Sequence, residues 1–306
     1  MMLRPNELLI GDHNYAEHVV SVVDGEQKAR GLVPRDFKLH PQGCYGSVQA
    51  VDIPLIPRGE WSERIKDKVA QQSQLSDIRL VGNNGQIIPS LDQGNKGYCW
   101  AHSTTQGVII ARAVSNQPYV PLSAYAVACV LKNFRDEGGW GALSCDFIST
   151  RGVPSQEKWP QQSMSRSNDN PDTWANAALH KIQEGWVDLG SSVYERNLSF
   201  DQTISLLLSD VPVVIDLNWW GHSILGLDAV DGLSMRKQTR ARSGKRATLQ
   251  EFELAWGVNE VTGGYGVRIL NSWSDAWSDR GMGTLSGSKA IPDGAVAPRA
   301  ITAAAA

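Results

Sequence analysis

The chain has 306 residues, 42% of them hydrophobic and 20% charged, with a formal net charge of −3. This is the composition of a folded chain with a sizeable buried core, and it excludes disordered and collagen-like classes. The near balance of charge gives no global argument for nucleic acid or a membrane surface, and no run approaches the ~20 apolar residues of a membrane span.

From the start, Leu8-Leu9-Ile10 is cut off by Gly11-Asp12-His13 before an apolar core of signal-peptide length forms, so the expectation is a cytoplasmic chain. The stretch Tyr45 to Ile56 reads as a strand. Glu60 to Gln72 reads as a helix, because Trp61, Ile65 and Val69 recur on one face, and Gly82-Asn83-Asn84-Gly85 marks a turn. A helix is predicted from Cys99 to Val114, a second from Leu122-Ser123 to Lys132 and a short third over Ala142–Thr150. A fourth runs from Pro171 to Gly185, with proline near its start and glycine at its end. Ser199 with Gln202 has the pattern of a capping box opening a helix to Ser209. Beyond this the reading becomes β-rich, with strands over Val211–Trp220, Ser223–Val230, residues 251–257 and Tyr265–Leu270. An insertion, 236–246, carries six basic residues and no acid. It reads as a solvated loop, since no aromatic residues interleave to stack bases.

The four cysteines are Cys44, Cys99, Cys129 and Cys145. None is spaced as CxxC, so no structural zinc is expected, and nothing in the chain calls for a cofactor. Among them Cys99 stands apart. It follows Gln93-Gly94-Asn95-Lys96-Gly97-Tyr98, a glycine-rich turn that delivers a thiol to the first turn of a helix, and Trp100-Ala101 come next. Downstream lie Gly221-His222-Ser223 and Asn271-Ser272-Trp273, each beside a strand-like run. Cys, His and Asn in this order and in these contexts resemble the papain-like cysteine peptidases, over residues 86–290.

The resemblance implies an α+β fold of two lobes, a helical lobe over 93–190 and a β-rich, barrel-like lobe over 191–300, with the active site in the cleft between them. It implies a peptide or protein substrate and a catalytic set of Cys99, His222, Asn271 and Gln93. In these roles Cys99 is the nucleophile, held as a thiolate by the helix N-terminus and a nearby imidazolium, and His222 is the general acid and base. Asn271 orients the imidazole, and Gln93 donates to the oxyanion. Gly138, Gly139 and Trp140 would form a substrate-backbone strip, Ser223 would border a side-chain pocket, and Trp273 would cover the His–Asn bond. His102 also neighbours Cys99, on its own helix, but at a position that packs in this family. Where secreted members carry a disulfide, this chain has Lys96 and Asp136, a possible ion pair suited to a reducing compartment. Residues 1–85 lie outside the pattern. They read as an extension packed on the 86–306 body, with an inhibitory pro-segment as the alternative. A different class of function also fits: a papain-fold component of a large assembly such as a phage particle, with or without peptidase activity.

Overall fold

The computed structural model describes residues 6–19, 22–49, 52–81, 85–183, 185–189, 192–232, 256 and 258–298. The chain opens with β1 (Leu8–Ile10), a short α1 (Tyr15–His18) and a hairpin of β2 (Val22–Val23) and β3 (Glu26–Gln27). Helices α2 (Arg58–Gln71) and α3 (Leu75–Val81) follow, then the helical region: α4 (Cys99–Val114), α5 (Ala124–Leu131), α6 (Gly141–Arg151) and α7 (Pro171–Ala177). The last part holds β4 (Trp186–Asp188), α8 (Ser192–Leu208), β5 (Val213–Leu217), β6 (His222–Asp231), β7 (Tyr265–Leu270), β8 (Met282–Leu285) and β9 (Gly294–Pro298). Among the described residues no helix is long and apolar enough to cross a membrane.

Seven strands form one sheet in the order β1-β8-β7-β6-β5-β9-β4. All pairings are antiparallel except that of β1 with β8. The central strand β6 is buried at all ten positions, because α4, α2 and α8 all pack on it. Within α4, Gly107 permits the close approach: a Cβ there would lie 3.3 Å from Leu225 Cδ1 and 3.8 Å from Val214 Cγ2. Helix α4 thereby lies across the sheet with its N-terminus at the end of the β5–β6 hairpin.

The N-terminal residues are part of this body. Strand β1 extends the sheet by pairing Leu8 with Gly283 and Ile10 with Leu285. Glu7 is buried and accepts from Arg268 on β7, whose guanidinium also donates to Asp228 on β6. In α2, Trp61 and Ile65 form the buried stripe. The Trp61 ring meets Tyr265 and Phe200 edge-on, and its Nε1–H donates to Ile56 O at 2.8 Å.

Three expectations need correction. Tyr45–Ile56 is not a strand: its described residues make a single parallel bridge, Val48 to Trp186. Pro54 brings no N–H to a ladder, and the chain turns on both sides of Cys44. Helix α7 ends at Ala177 rather than running to Gly185, because His180 swings in to exchange hydrogen bonds with Val153. Ser199 does not cap a helix. It is buried inside α8, which starts at Ser192, and its carbonyl accepts from Thr203 Oγ1. The basic insertion 236–246, the 251–257 strand apart from Trp256, and turn residues 82–84 lie outside the described residues.

Candidate active site

Cys99 is the first residue of α4 and is completely buried. The turn before it is braced on both sides. Gly97 N–H donates to Asp136 Oδ1 at 2.8 Å, Lys96 Nζ stands 3.5 Å from the same carboxylate, and Trp100 Nε1–H folds back onto Gly97 O. The Lys96–Asp136 pair thus sits where its sequence positions suggested. Both partners are about one-third exposed, so the pair itself contributes about 0–1 kcal/mol. The four cysteines are free thiols.

His222 opens β6, directly after a hairpin turn whose Gly221 has φ +61°. The next residue along the strand, Ser223, donates its N–H to Cys99 Sγ at 3.4 Å. His222 Nε2 is 2.7 Å from Asn271 Oδ1, just past β7. That oxygen also accepts from Ser272 N–H at 2.8 Å. An amide oxygen only accepts, so Nε2 carries the hydrogen and Nδ1 is left with its lone pair. Nδ1 is buried and has no hydrogen-bond partner among the described residues. Trp273 stacks on the imidazole at 4.6 Å between centroids, and Trp220 meets it edge-on at 5.2 Å. His102 is elsewhere engaged: its Nδ1 lies 2.8 Å from Tyr98 O, its Nε2 faces Gln161, and its ring packs edge-on against Tyr125.

Gln93 is brought to the same place by the Asp92–Trp273 bridge, with Gln93 N–H donating to Ser272 O. Ser272 Oγ donates to Gln93 Oε1 at 2.6 Å, which fixes the amide so that Nε2 points the other way. There Nε2 donates to Lys96 O at 2.8 Å and Ala29 O at 3.0 Å.

Ala29 belongs to a stretch of the N-terminal region, residues 28–33, that lies along the cleft like a strap. Gly31 N–H donates to Cys99 Sγ at 3.3 Å, and Trp273 Nε1–H donates to Ala29 O. Gly139 N–H donates to Gly31 O, Val33 N–H to Gly139 O, and Leu32 N–H to Gly221 O. Gly139 thus pairs with this chain's own N-terminal segment, in a parallel bridge to Leu32. Only glycine fits at position 31, since a Cβ there would stand 1.9 Å from Gly97 O. A Cβ on Gly138 would likewise meet Gly31 O at 2.5 Å. Trp140 stands beside the strip, donating to Tyr45 Oη at 2.9 Å and packing on His40. The sulfur meets an amide N–H, where nucleophilic attack needs a carbonyl carbon.

Burial opposes the electrostatics expected at the helix N-terminus. Burial pushes the Cys99 thiol up to about 12, against the lowering by the Ser223 and Gly31 N–H groups. Burial also holds His222 down to about 3, outweighing its bond to Asn271. In this covered state burial thus works against the expected thiolate–imidazolium pair on both partners. Water exclusion costs the charged forms more than the helix terminus returns.

Two participants were not anticipated. Gly31 had no local signature, because its role comes from lying against Gly97. Asp216, on β5, faces Ser223 across the β5–β6 ladder and was read only as one residue of a strand.

A model of the papain family cysteine proteases matches residues 73–295. Cysteine proteinase 3 of Dictyostelium discoideum is 26% identical over 202 residues, covering 64% of this chain and 54% of that protein. Zingipain-2 of Zingiber officinale is 30% identical over 110 residues, 33% of this chain and 50% of that one. The chain thus spans about half the length of these curated relatives. Among solved structures, xylellain, a cysteine protease from Xylella fastidiosa, superimposes with a TM-score of 0.54 at 14% identity, over 89% of this chain and 96% of that one. The likeness at that identity is one of fold. With a family model spanning 73–295 and a papain-like arrangement of helices and sheet, the chain belongs to the papain family of cysteine proteases.

Proposed function

We propose that this chain hydrolyses peptide bonds with Cys99 as nucleophile, His222 as general base and acid, Asn271 as the orienting group and Gln93 as an oxyanion donor. The observation that carries the reading is the convergence at the start of α4: the Cys99 thiol is touched by the backbone of Ser223, the residue after His222, whose tautomer Asn271 has set for proton acceptance at Nδ1. In the acylation step the thiol proton passes to His222 Nδ1 and sulfur attacks the carbonyl carbon. The oxyanion is held by Gln93 Nε2–H and the Cys99 N–H. His222 then gives its proton to the leaving amine, which departs as the C–N bond breaks. Water, deprotonated by His222, cleaves the thioester, releasing the acid and restoring the thiol.

The strap occupies this apparatus. It engages both the sulfur and the Gln93 amide, so the structure corresponds to a closed resting state, and turnover requires residues 28–33 to lift. Treatment of the full chain with a peptidyl epoxide at neutral pH, with mass mapping of the adducts, tests the reading. Cys99 is expected to be modified in preference to Cys44, although Cys44 is the exposed thiol. Labelling of Cys44 alone, with no peptide hydrolysis, would refute it.

A further inference from the structure

Gln93 can serve an oxyanion only if the short segment that carries it is held still. The carbonyls of residues 91–93 are held from three different parts of the fold. Leu91 O accepts from Ser274 N–H at 3.1 Å. Asp92 O accepts from Gln161 Nε2–H at 2.8 Å, and Gln93 O accepts from Tyr125 Oη–H, on α5, at 2.7 Å. Two of these donors, Gln161 and Tyr125, meet at one side chain, His102, on the helix that opens with Cys99.

His102 is completely buried. Its Nδ1 lies 2.8 Å from Tyr98 O. A carbonyl only accepts, so Nδ1 carries the hydrogen and Nε2 keeps its lone pair. Burial holds the ring down to about 4, against the raising by Tyr98 O and Asp92, which favours the form with that lone pair. Gln161 Nε2 carries two hydrogens. One goes to Asp92 O and the other turns to His102 Nε2 at 3.4 Å. An amide turned the other way would set its oxygen against two acceptors, so the imidazole helps to fix which way Gln161 faces. The same ring backs Tyr125 edge-on, with 5.5 Å between centroids. Filling this space would need only an apolar ring, and burying two ring nitrogens is costly unless both are bonded. Here both are. Through Nδ1 the histidine also grips the turn before Cys99, where Lys96 O accepts from Gln93 Nε2–H at 2.8 Å.

We infer that His102 is a positioning residue for the oxyanion donor: it orients Gln161 and supports Tyr125, which hold the carbonyls of Asp92 and Gln93, while its Nδ1–H holds the facing turn at Tyr98. Gln93 Nε2–H is thereby kept aimed at the place that Ala29 O of the strap now occupies. The inference rests on the peptidase reading above, with Gln93 as its donor. His102 acts through Gln93 and takes no part in proton transfer.

The test is the kinetics of the full chain on a chemistry-limited peptide, comparing His102→Phe, Gln161→Met, Gln93→Ala and each of the first two combined with Gln93→Ala. His102→Phe keeps a ring against Tyr125 but offers Gln161 no lone pair. Gln161→Met keeps the length of the side chain but has no amide. Each should lower kcat by about tenfold or more, the scale of a displaced catalytic group. KM should stay within about twofold, as for an interaction made only in the transition state. In the Gln93→Ala background each should change kcat by less than about twofold, because the donor they position is already gone. An unchanged kcat in either single variant, or the same full loss in the Gln93→Ala background, overturns the inference. If His102→Phe does not fold, Gln161→Met and its combination with Gln93→Ala decide by the same criteria. If Gln93→Ala itself leaves kcat unchanged while the wild type cleaves the peptide, the inference falls and the roles of Cys99, His222 and Asn271 stand. If no peptide is cleaved and Cys99 is not labelled, the peptidase reading fails and the inference falls with it.

Discussion

The bond from His222 Nε2 to Asn271 Oδ1 decides which imidazole nitrogen can act, because the same oxygen is also held by Ser272 N–H. Asn271→Ala should therefore lower turnover without abolishing it, since a loosened ring still samples the productive tautomer. Loss as complete as in Cys99→Ala would contradict an orienting role. Gln93→Ala should cost about 10²–10³ in turnover, the scale for one oxyanion donor, and an unchanged rate on a chemistry-limited substrate would remove Gln93 from the site. The buried histidines set a pH dependence. Burial holds His222 to about 3, and His102 and His180 to about 4, from an ordinary 6.5. Between pH 6.5 and 4 the unfolded chain takes up protons that these rings in the folded chain refuse, so stability falls as pH falls through that window. Asp216, raised to about 6 from 3.8, acts in the opposite sense, one group against three. The thermal midpoint should decline steadily from pH 6.5 to 4 in calorimetry, and a flat or rising midpoint would contradict the buried neutral rings.

The strap and the helices it lies against define the second scale. Gly31 admits no side chain beside Gly97 O, so Gly31→Ala should push the strap out, taking its N–H off Cys99 Sγ while leaving every proposed catalytic side chain unchanged. Even about 1.4 kcal/mol of strain is tenfold in the closed-to-open ratio. Cys99 alkylation should accelerate by roughly that factor or more, as followed by mass spectrometry, and an unchanged rate would show that the strap does not govern access. This scale also shows what the amino-acid order could and could not convey. That Cys99, His222 and Asn271 fall close together was legible because each is embedded in a local run of turn, helix or strand residues. Helix α4 and strand β7 were legible to the residue for the same reason. Gly31 and Asp216 were not, because their meaning depends on what folds against them: Gly97 in one case, Gly141 and Ser223 in the other. The supposed strand at 45–56 failed for a related cause, a strand-like composition whose described residues make a single bridge, at Val48.

At the scale of the whole molecule, residues before 86 are tied into the body at two places. Strand β1 is paired with β8 while Glu7 meets Arg268, and α2 buries Trp61 against Tyr265 and Phe200. Deleting residues 1–85 would expose the Arg268 guanidinium's partner site and the apolar ground beneath α2. The truncated chain should be insoluble or unfolded, and a soluble truncation with higher peptidase activity would instead identify the region as a removable pro-segment. Trp61→Ala in the full chain should cost about 3–5 kcal/mol of stability in denaturant unfolding. The two ties have a kinetic meaning for the strap between them. A segment tethered at both ends meets its groove at an effective concentration on the order of millimolar, set by chain length and not by how much protein is present. Dilution leaves its occupancy unchanged, and an incoming peptide competes against an occupant that never diffuses away.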